Sequence, residues 1–534
     1  MENLFASYTV GKAWDEMILP DGSPREAFAE LYRVMSEMSS AEFDERCAER
    51  DRSFLDRGVT FSLAGEERPF PLDPVPRIIS ATEWAVIESG VIQRVRALEM
   101  FLEDVYGKGE VLGDRLIPRS LVANSSLYNR HAFGITTPNR VRIHVAGIDI
   151  VRDGEGDLRV LEDNVRTPSG VSYVLENRRA MTRIFPELLS SQPIRPVEDY
   201  PRHLLEALRS AAPVRAGSAP VVVLLTPGVH NSAYFEHSFL ARQMGVELVE
   251  GRDLVCRNNV VYMRTTGGEL RVDVIYRRID DDFLDPVFFR GDSVIGCPGV
   301  LNAARAGSVT IASAVGNGVA DDKLTYTYVP ELISYYLGEE PVLKNVPTYR
   351  LEDKDQLDHV LERLDQLVVK PVNASGGYGI VIGPQATEKE LAKTAASLRA
   401  RPRDFIAQEL VSLSTAPTKV GPALEPRHID LRPFAVNSGD RITVLPGGLT
   451  RVAMRRGSLI VNSSQGGGSK DTWVASEASL GSEPSPVRRV SGAHFPGLEH
   501  APPPCHGVVE IEVTQMQQQQ QAKQKPSHGG TRPC

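Results

Sequence analysis

The chain has 534 residues, with 60 Lys or Arg against 69 Asp or Glu and a net charge of −9 at neutral pH. That length suggests roughly three to four domains, and the mildly acidic balance argues against nucleic acid as a bulk partner, which needs a basic footprint. Five scattered cysteines (Cys47, Cys256, Cys297, Cys505 and Cys534) lack CxxC spacing, and neither an apolar leader nor a membrane-length apolar run occurs. A disulfide scaffold, a zinc site, secretion and membrane insertion are therefore not expected, and a cytoplasmic protein is.

Residues 25–105 read as helical. Ser80-Ala81-Thr82-Glu83 fits a capping box, in which the serine and glutamate side chains satisfy each other's backbone N–H groups. After it, Trp84, Ile87, Val91, Val95, Leu98, Leu102 and Val105 recur at spacings of three and four, forming one apolar helix face. Residues 141–164 read as a β-hairpin turning at Asp153-Gly154-Glu155-Gly156-Asp157. Residues 221–225 form an apolar strand closed by Thr226-Pro227-Gly228. A helix over 233–244 and a strand over 246–249 follow. This β-α-β unit implies parallel strands and an α/β class. Residues 272–276 read as a further strand, 357–369 as a helix running into a strand, and 429–462 as alternating strands and turns. From 475 the character changes. Eight prolines, the run Gln517 to Gln521, five acids balanced by five bases and no periodicity mark this tail as disordered.

Chemistry-bearing residues gather in five places. The first is Leu161-Glu162-Asp163-Asn164-Val165-Arg166-Thr167-Pro168-Ser169-Gly170. If the hairpin loop is 154–157, Asp153 faces Leu158 and Asp149 lies opposite Glu162. Opposed β-carbons are about 5 Å apart, and two carboxylates that close repel unless a cation lies between them. Mg²⁺ takes oxygen ligands, few of them from protein, with phosphates supplying others. Asn164, on the same strand face as Glu162, would add an oxygen without adding charge. Arg166 shares that face if the strand runs so far, and offers a planar fork to phosphate oxygens. The plainer alternative is a solvated hairpin face with an incidental ion pair.

The second place is a strand ending in Lys370, followed by Asn373-Ala374-Ser375-Gly376-Gly377-Tyr378-Gly379. Glycines let backbone N–H groups approach phosphates, and Lys370 supplies a point charge. Neither a Walker A motif nor GxGxxG is present. The third is Gly316-Asn317-Gly318-Val319-Ala320-Asp321-Asp322-Lys323, ahead of a helix, where Lys323 is a second phosphate lysine. The fourth is Phe405-Ile406-Ala407-Gln408-Glu409, a strand whose backbone edge suits adenine and whose acid suits ribose hydroxyls. The fifth is Asp430-Leu431-Arg432.

In this order the motifs resemble those of ATP-grasp enzymes: Asp322-Lys323, then Val369-Lys370-Pro371, Gln408-Glu409, and Asp430-Leu431-Arg432. The metal motif expected last lies upstream instead, as Glu162-Asp163-Asn164. That displacement resembles the circularly permuted ATP-grasp family of type 2, relatives of glutathionylspermidine synthetase. Thr226-Pro227-Gly228, the segment from Asn231 to His237, Tyr276-Arg277-Arg278-Ile279-Asp280-Asp281-Asp282-Phe283 and the segment from Asn462 to Trp473 carry the same resemblance, which covers residues 30–474.

The resemblance implies an α/β (α+β) permuted ATP-grasp fold with a Rossmann-like pre-ATP-grasp domain and a helical N-terminal region. The expected divisions are 1–110 (helical), 111–215 (metal motif), 216–315 (pre-ATP-grasp), 316–474 (nucleotide-binding) and 475–534 (tail). It implies Asp149, Glu162 and Asn164 as Mg²⁺ ligands. Lys323, Lys370 and Arg432 would bind the phosphates of ATP, Ser375, Gly376, Gly377, Tyr378 and Gly379 would form a lid, and Gln408 and Glu409 the nucleotide hinge. Arg166, Lys323, Lys370 and Arg432 would serve the chemistry. The implied activity is ligation of a small-molecule or peptide carboxylate to an amine, or less often a thiol, through an acylphosphate. A nucleotide-binding scaffold and a simple phosphotransferase are the alternatives. Arg277, Arg278, Asp280, Asp281 and Asp282 look too charged for a core and read as either a substrate-binding cluster or a salt-bridged loop. Asn231, Tyr234 and His237 stay undecided, and Tyr335-Tyr336 reads as packing.

Overall fold

The computed structural model describes residues 4–63, 66–190, 193–372, 379–458, 461 and 467–476. Four of the five expected lid residues, Ser375, Gly376, Gly377 and Tyr378, lie outside these described residues, as does the tail from 477. The class is mixed α/β with several sheets. Among the described residues no helix is long and apolar enough to cross a membrane.

The apolar face read after residue 80 becomes the helix Ala81–Val105, and all seven of its periodic residues are buried. Ser80 Oγ accepts the Glu83 N–H at 3.2 Å. The Glu83 carboxylate does not return to Ser80; it pairs with Arg152 on a neighbouring strand. The helix packs, with Ile148, Ile150 and Val160, in one large core on one side of the main sheet.

The expectation of an all-helical stretch over 25–105 is corrected. The strands Thr60–Leu63, Glu66–Pro69 and Leu72–Ile79 interrupt it. Pro74 and Pro76 cannot sit inside a helix, but they are tolerated on an edge strand, where a missing N–H costs no ladder bond. Leu72–Ile79 is such an edge: it ends the ten-stranded sheet and, among the described residues, pairs only with Gly468–Val474, in parallel.

That sheet runs, neighbour to neighbour, from Lys344–Asn345 through Leu158–Asn164, Val145–Arg152, Ala423–Arg432, Leu449–Val452 and Gly468–Val474 to Leu72–Ile79. The hairpin forms where it is expected, with a register the sequence did not foresee. Near the turn Arg152, not Asp153, faces Leu158. A bulge between Ile150 and Asp149 leaves Leu161 unpaired, and the register then shifts so that Asp149 faces Glu162 and Gly147 faces Asn164. The turn is one residue longer than assumed and the bulge takes up one residue, so the two differences cancel at the carboxylates.

The β-α-β unit forms as read. Val222–Leu225, the helix Tyr234–Met244 and Glu247–Val249 belong to a four-stranded parallel sheet completed by Val274–Arg277 and Thr310–Ala312. A second four-stranded sheet, antiparallel, orders Thr348–Arg350, Phe405–Glu409, Leu367–Pro371 and Val381–Ile382. Its core joins Val360 and Leu398, from the helices Lys354–Glu362 and Glu388–Ala400, to Leu367, Val369 and Ala407. The glycine-rich segment therefore links two antiparallel strands, Leu367–Pro371 and Val381–Ile382. Gly379 has φ +73°, and a β-carbon there would lie 2.9 Å from Pro371 Cγ, so this end of the loop admits no side chain.

Candidate active site

Four adjacent strands of the ten-stranded sheet carry a row of charges. Glu162 and Asn164 stand on Leu158–Asn164, Asp149 on Val145–Arg152, Asp430 and Arg432 on Ala423–Arg432, and Arg451 on Leu449–Val452. Asp149 is only 3% exposed. Both its oxygens are taken by Arg432, through Nε at 2.5 Å and Nη2 at 2.8 Å, and Arg451 Nη2 adds a third contact at 2.7 Å. Burial pushes the Asp149 carboxyl up, but the two guanidiniums outweigh it and hold it well below the usual range. Asp430 lies directly across from Arg451 and pairs with it, yet burial dominates there and raises its carboxyl.

Glu162 keeps a quarter of its side chain exposed, and one oxygen lies 3.8 Å from Lys323 Nζ. The Asn164 oxygen sits 3.1 Å from the other Glu162 oxygen, and its nitrogen sits 3.2 Å from Arg432 Nη2. Turning the amide over would make both hydrogen bonds. Lys323 begins a short helix capped by Asp322, whose carboxylate accepts the Leu324 N–H. Lys370 is 7% exposed. Burial pulls its ammonium down to about 8; Glu162 and Asp149 oppose the fall and Lys323 adds to it. The structure thus brings together Asp149, Glu162, Asn164, Lys323, Lys370 and Arg432.

Other expected residues are engaged elsewhere. The strand ends at Asn164, two residues short of Arg166. Arg166 instead pairs with Asp321 at 2.8 Å and Asp280 at 3.4 Å. Glu409 is held by Tyr349 at 2.5 Å and Arg363 at 3.0 Å. Burial pushes its carboxyl up, but these two partners outweigh it and leave it low. Gln408 is buried; its Nε2 donates to Thr348 Oγ1 at 3.0 Å and its Oε1 has no hydrogen-bond partner among the described residues.

The view that Arg277 and Arg278 are too charged for a core is corrected. Arg277 is fully buried and donates to the carbonyls of Ser313, Ile279 and Ala314 and to Asn317 Oδ1. Arg278 is buried against Glu236. Each guanidinium is admitted because carbonyls or a carboxylate meet its N–H groups. His237 is also buried, bonded to Thr226 Oγ1 at 2.9 Å, and burial keeps its imidazole neutral. Tyr335 and Tyr336 do pack edge to face, but both hydroxyls also donate, to Asp114 and Asp104.

Sequence reading missed Arg451, Arg94 and the role of Glu236. Arg451 lies within Leu449-Thr450-Arg451-Val452-Ala453, where a lone charge in an apolar strand demands a buried partner. That pattern was the available signal.

The mixed α/β fold, with Glu162-Asp163-Asn164 ahead of Lys323, Lys370 and Glu409 along the chain, agrees with a permuted ATP-grasp ligase. The model of the family described as circularly permuted ATP-grasp type 2 matches residues 76–453, and the chain belongs to that family. An uncharacterized protein of Mycobacterium tuberculosis is 58% identical over 477 residues, covering 89% of this chain and 86% of its own length. One from Synechocystis is 51% identical over 472 residues, 88% of this chain and 98% of its own. A Frankia casuarinae protein provisionally named glutamate–cysteine ligase is 47% identical over 464 residues, 86% of this chain but 53% of its own length. Among solved structures, a glutathione synthetase-like effector of Globodera pallida superposes with a TM-score of 0.54 at 12% identity, over 82% of this chain and 98% of its own. At that identity the likeness concerns fold alone.

Proposed function

We propose that the chain joins a carboxylate to an amine at the expense of ATP, through an acylphosphate. The observation that carries this reading is the convergence of Lys323 and Lys370 on Glu162, opposite Asp149, from three separate parts of the chain. A substrate carboxylate oxygen attacks the γ-phosphorus and the bond to the ADP oxygen breaks. The amine nitrogen then attacks the acyl carbon, phosphate leaves and the nitrogen gives up a proton. The protein's work is alignment and charge neutralisation. Lys323, Lys370 and Arg432 neutralise phosphate oxygens, and Arg166 lies next along the chain from the metal motif. Gln408 and Glu409 border the nucleotide hinge. In this reading Ser375, Gly376, Gly377, Tyr378 and Gly379 serve as the lid over the phosphates. The Frankia protein's name points to amino-acid or peptide substrates.

The residues fit Mg²⁺. Glu162 offers a quarter-exposed carboxylate, Asp149 faces it across the strand pair and Asn164 adds an amide oxygen on the same strand, the kinds of donor a hard cation takes. Mg²⁺ there would draw off charge as the phosphoryl group transfers. Among the described residues no three His, Cys, Asp or Glu side chains gather to hold a metal.

Calorimetry with AMP-PNP and Mg²⁺ tests the reading. Glu162→Ala and Lys370→Ala each weaken binding by about 1.5–3 kcal/mol, the worth of a charge-assisted contact. If both variants bind as tightly as the unaltered protein, the site is wrong.

A second expected result concerns protons. Lys370 titrates near 8, so it is charged below that pH and neutral above it. Phosphate arriving beside it favours the charged form. Binding of AMP-PNP just above pH 8 therefore takes up protons, seen as a binding heat that changes with the buffer's ionisation heat. Lys370→Met loses that dependence.

A further inference from the structure

Asp149 cannot serve a cation while Arg432 and Arg451 hold it. Oδ1 and Oδ2 both carry guanidinium N–H groups at 2.5–2.8 Å. Around this point four cations, Arg432, Arg451, Lys323 and Lys370, face three carboxylates, Asp149, Asp430 and Glu162. A bare divalent ion entering here meets net positive charge and a carboxylate already paired. An anionic ligand reverses both conditions.

The two arginines are not equivalent. Arg451 is clamped between Asp149 and Asp430, and Asp430 lies directly across the strand pair from it. Arg432 has Asp149 as its single carboxylate partner among the described residues; its further contact is the Ser169 carbonyl at 3.4 Å. The stem of Arg432 runs over Gly147, where a β-carbon would lie 3.1 Å from Cδ, so the backbone leaves the side chain a slot. The end of that guanidinium also lies 3.2 Å from Asn164, the amide that must turn its oxygen toward a metal.

Resting on the nucleotide reading above, we propose that the divalent-cation site is assembled by the nucleotide: Arg432 leaves Asp149 for the phosphates, freeing Asp149 as a ligand, while Arg451 stays and keeps that carboxylate aimed. Arg432 is thus an exchange residue, and metal and nucleotide affinities are coupled through it. Coupling between bound ligands is reciprocal, so either can be used to read it.

The test uses the full chain with Mn²⁺ alone, AMP-PNP alone and both, followed by calorimetry and by the Mn²⁺ spin-resonance signal. The unaltered protein binds Mn²⁺ alone weakly. Arg432→Gln removes the competing cation, so it binds Mn²⁺ alone about tenfold tighter while binding AMP-PNP more weakly. Asp149→Asn removes the tie on Arg432, so it binds metal-free AMP-PNP about tenfold tighter while losing the Mn²⁺ that accompanies it. These are gains, which a merely damaged fold does not produce. The proposal falls if Arg432→Gln binds Mn²⁺ no tighter, or if Asp149→Asn binds metal-free AMP-PNP no tighter. If the unaltered protein binds no AMP-PNP with Mn²⁺, the nucleotide reading itself falls.

Discussion

An Arg94→Ala variant loses about 3–5 kcal/mol of stability, read as a lower midpoint of urea unfolding. Arg94 reaches from the helix Ala81–Val105 to Asp163, with Nε to Oδ1 at 2.5 Å and Nη2 to Oδ2 at 2.9 Å, and both side chains are 1% exposed. Removing the guanidinium strands a carboxylate inside the core. The pair is not, however, a net source of stability. Burial outweighs Arg94 and leaves the Asp163 carboxyl above its usual range, and Arg94 Nη1 has no hydrogen-bond partner among the described residues. A double replacement, Arg94→Met with Asp163→Leu, therefore comes within about 1 kcal/mol of the unaltered protein. A single-variant loss below about 1 kcal/mol would mean that the pair behaves like a solvated one. Asp163 stands between Glu162 and Asn164, so this pair anchors the strand face opposite those two side chains.

Glu236→Ala costs a similar amount, about 3–5 kcal/mol, because it leaves Arg278 buried and unpaired. One Glu236 oxygen accepts from Arg278 at 3.0 Å; the other accepts from Gly170 N at 2.7 Å, Ser172 N at 3.1 Å and Ser172 Oγ at 3.0 Å. Those N–H groups open the helix Val171–Ile184, where a carboxylate is favoured by unsatisfied donors and by the helix dipole. Arg278 also donates to the Pro168 carbonyl at 2.9 Å. Glu236 and Arg278 thus fasten the loop after Asn164 to the parallel-sheet unit. Glu236→Gln keeps an acceptor for the helix start but loses the charge, so its urea midpoint should fall between those of alanine and the unaltered protein. Equal losses for both variants would show that the charge on Arg278 is the whole effect.

Much of the local structure was legible. The periodic face from Trp84 to Val105 and the β-α-β unit over 221–249 form as read, because each depends on residues a few positions apart. The cross-strand meeting of Asp149 and Glu162 was legible too, though through a turn and a bulge that compensate. The stretch before residue 80 was misread because helical spacing outweighed the two prolines of Leu72–Ile79. For the candidate site, Lys323, Lys370 and Glu162-Asp163-Asn164 were visible as an ordered series. Their partners were not. Arg451 meets Asp149 from 302 residues away, and nothing in either neighbourhood names the other.

By itself the sequence determined the kinds of element, the permuted order of the motifs and the residue types available for phosphate and metal. These follow from periodicity, turn chemistry and side-chain identity, which act over a few residues. The tertiary structure alone decided which charges neighbour which: that Arg277 is buried, that Arg166 turns to Asp321, and that Arg432 and Arg451 occupy Asp149. The last of these follows from the order of strands in the ten-stranded sheet, the first two from the parallel sheet and the connections around it. A buried charge must find its partner among whatever that order places beside it, however far away along the chain.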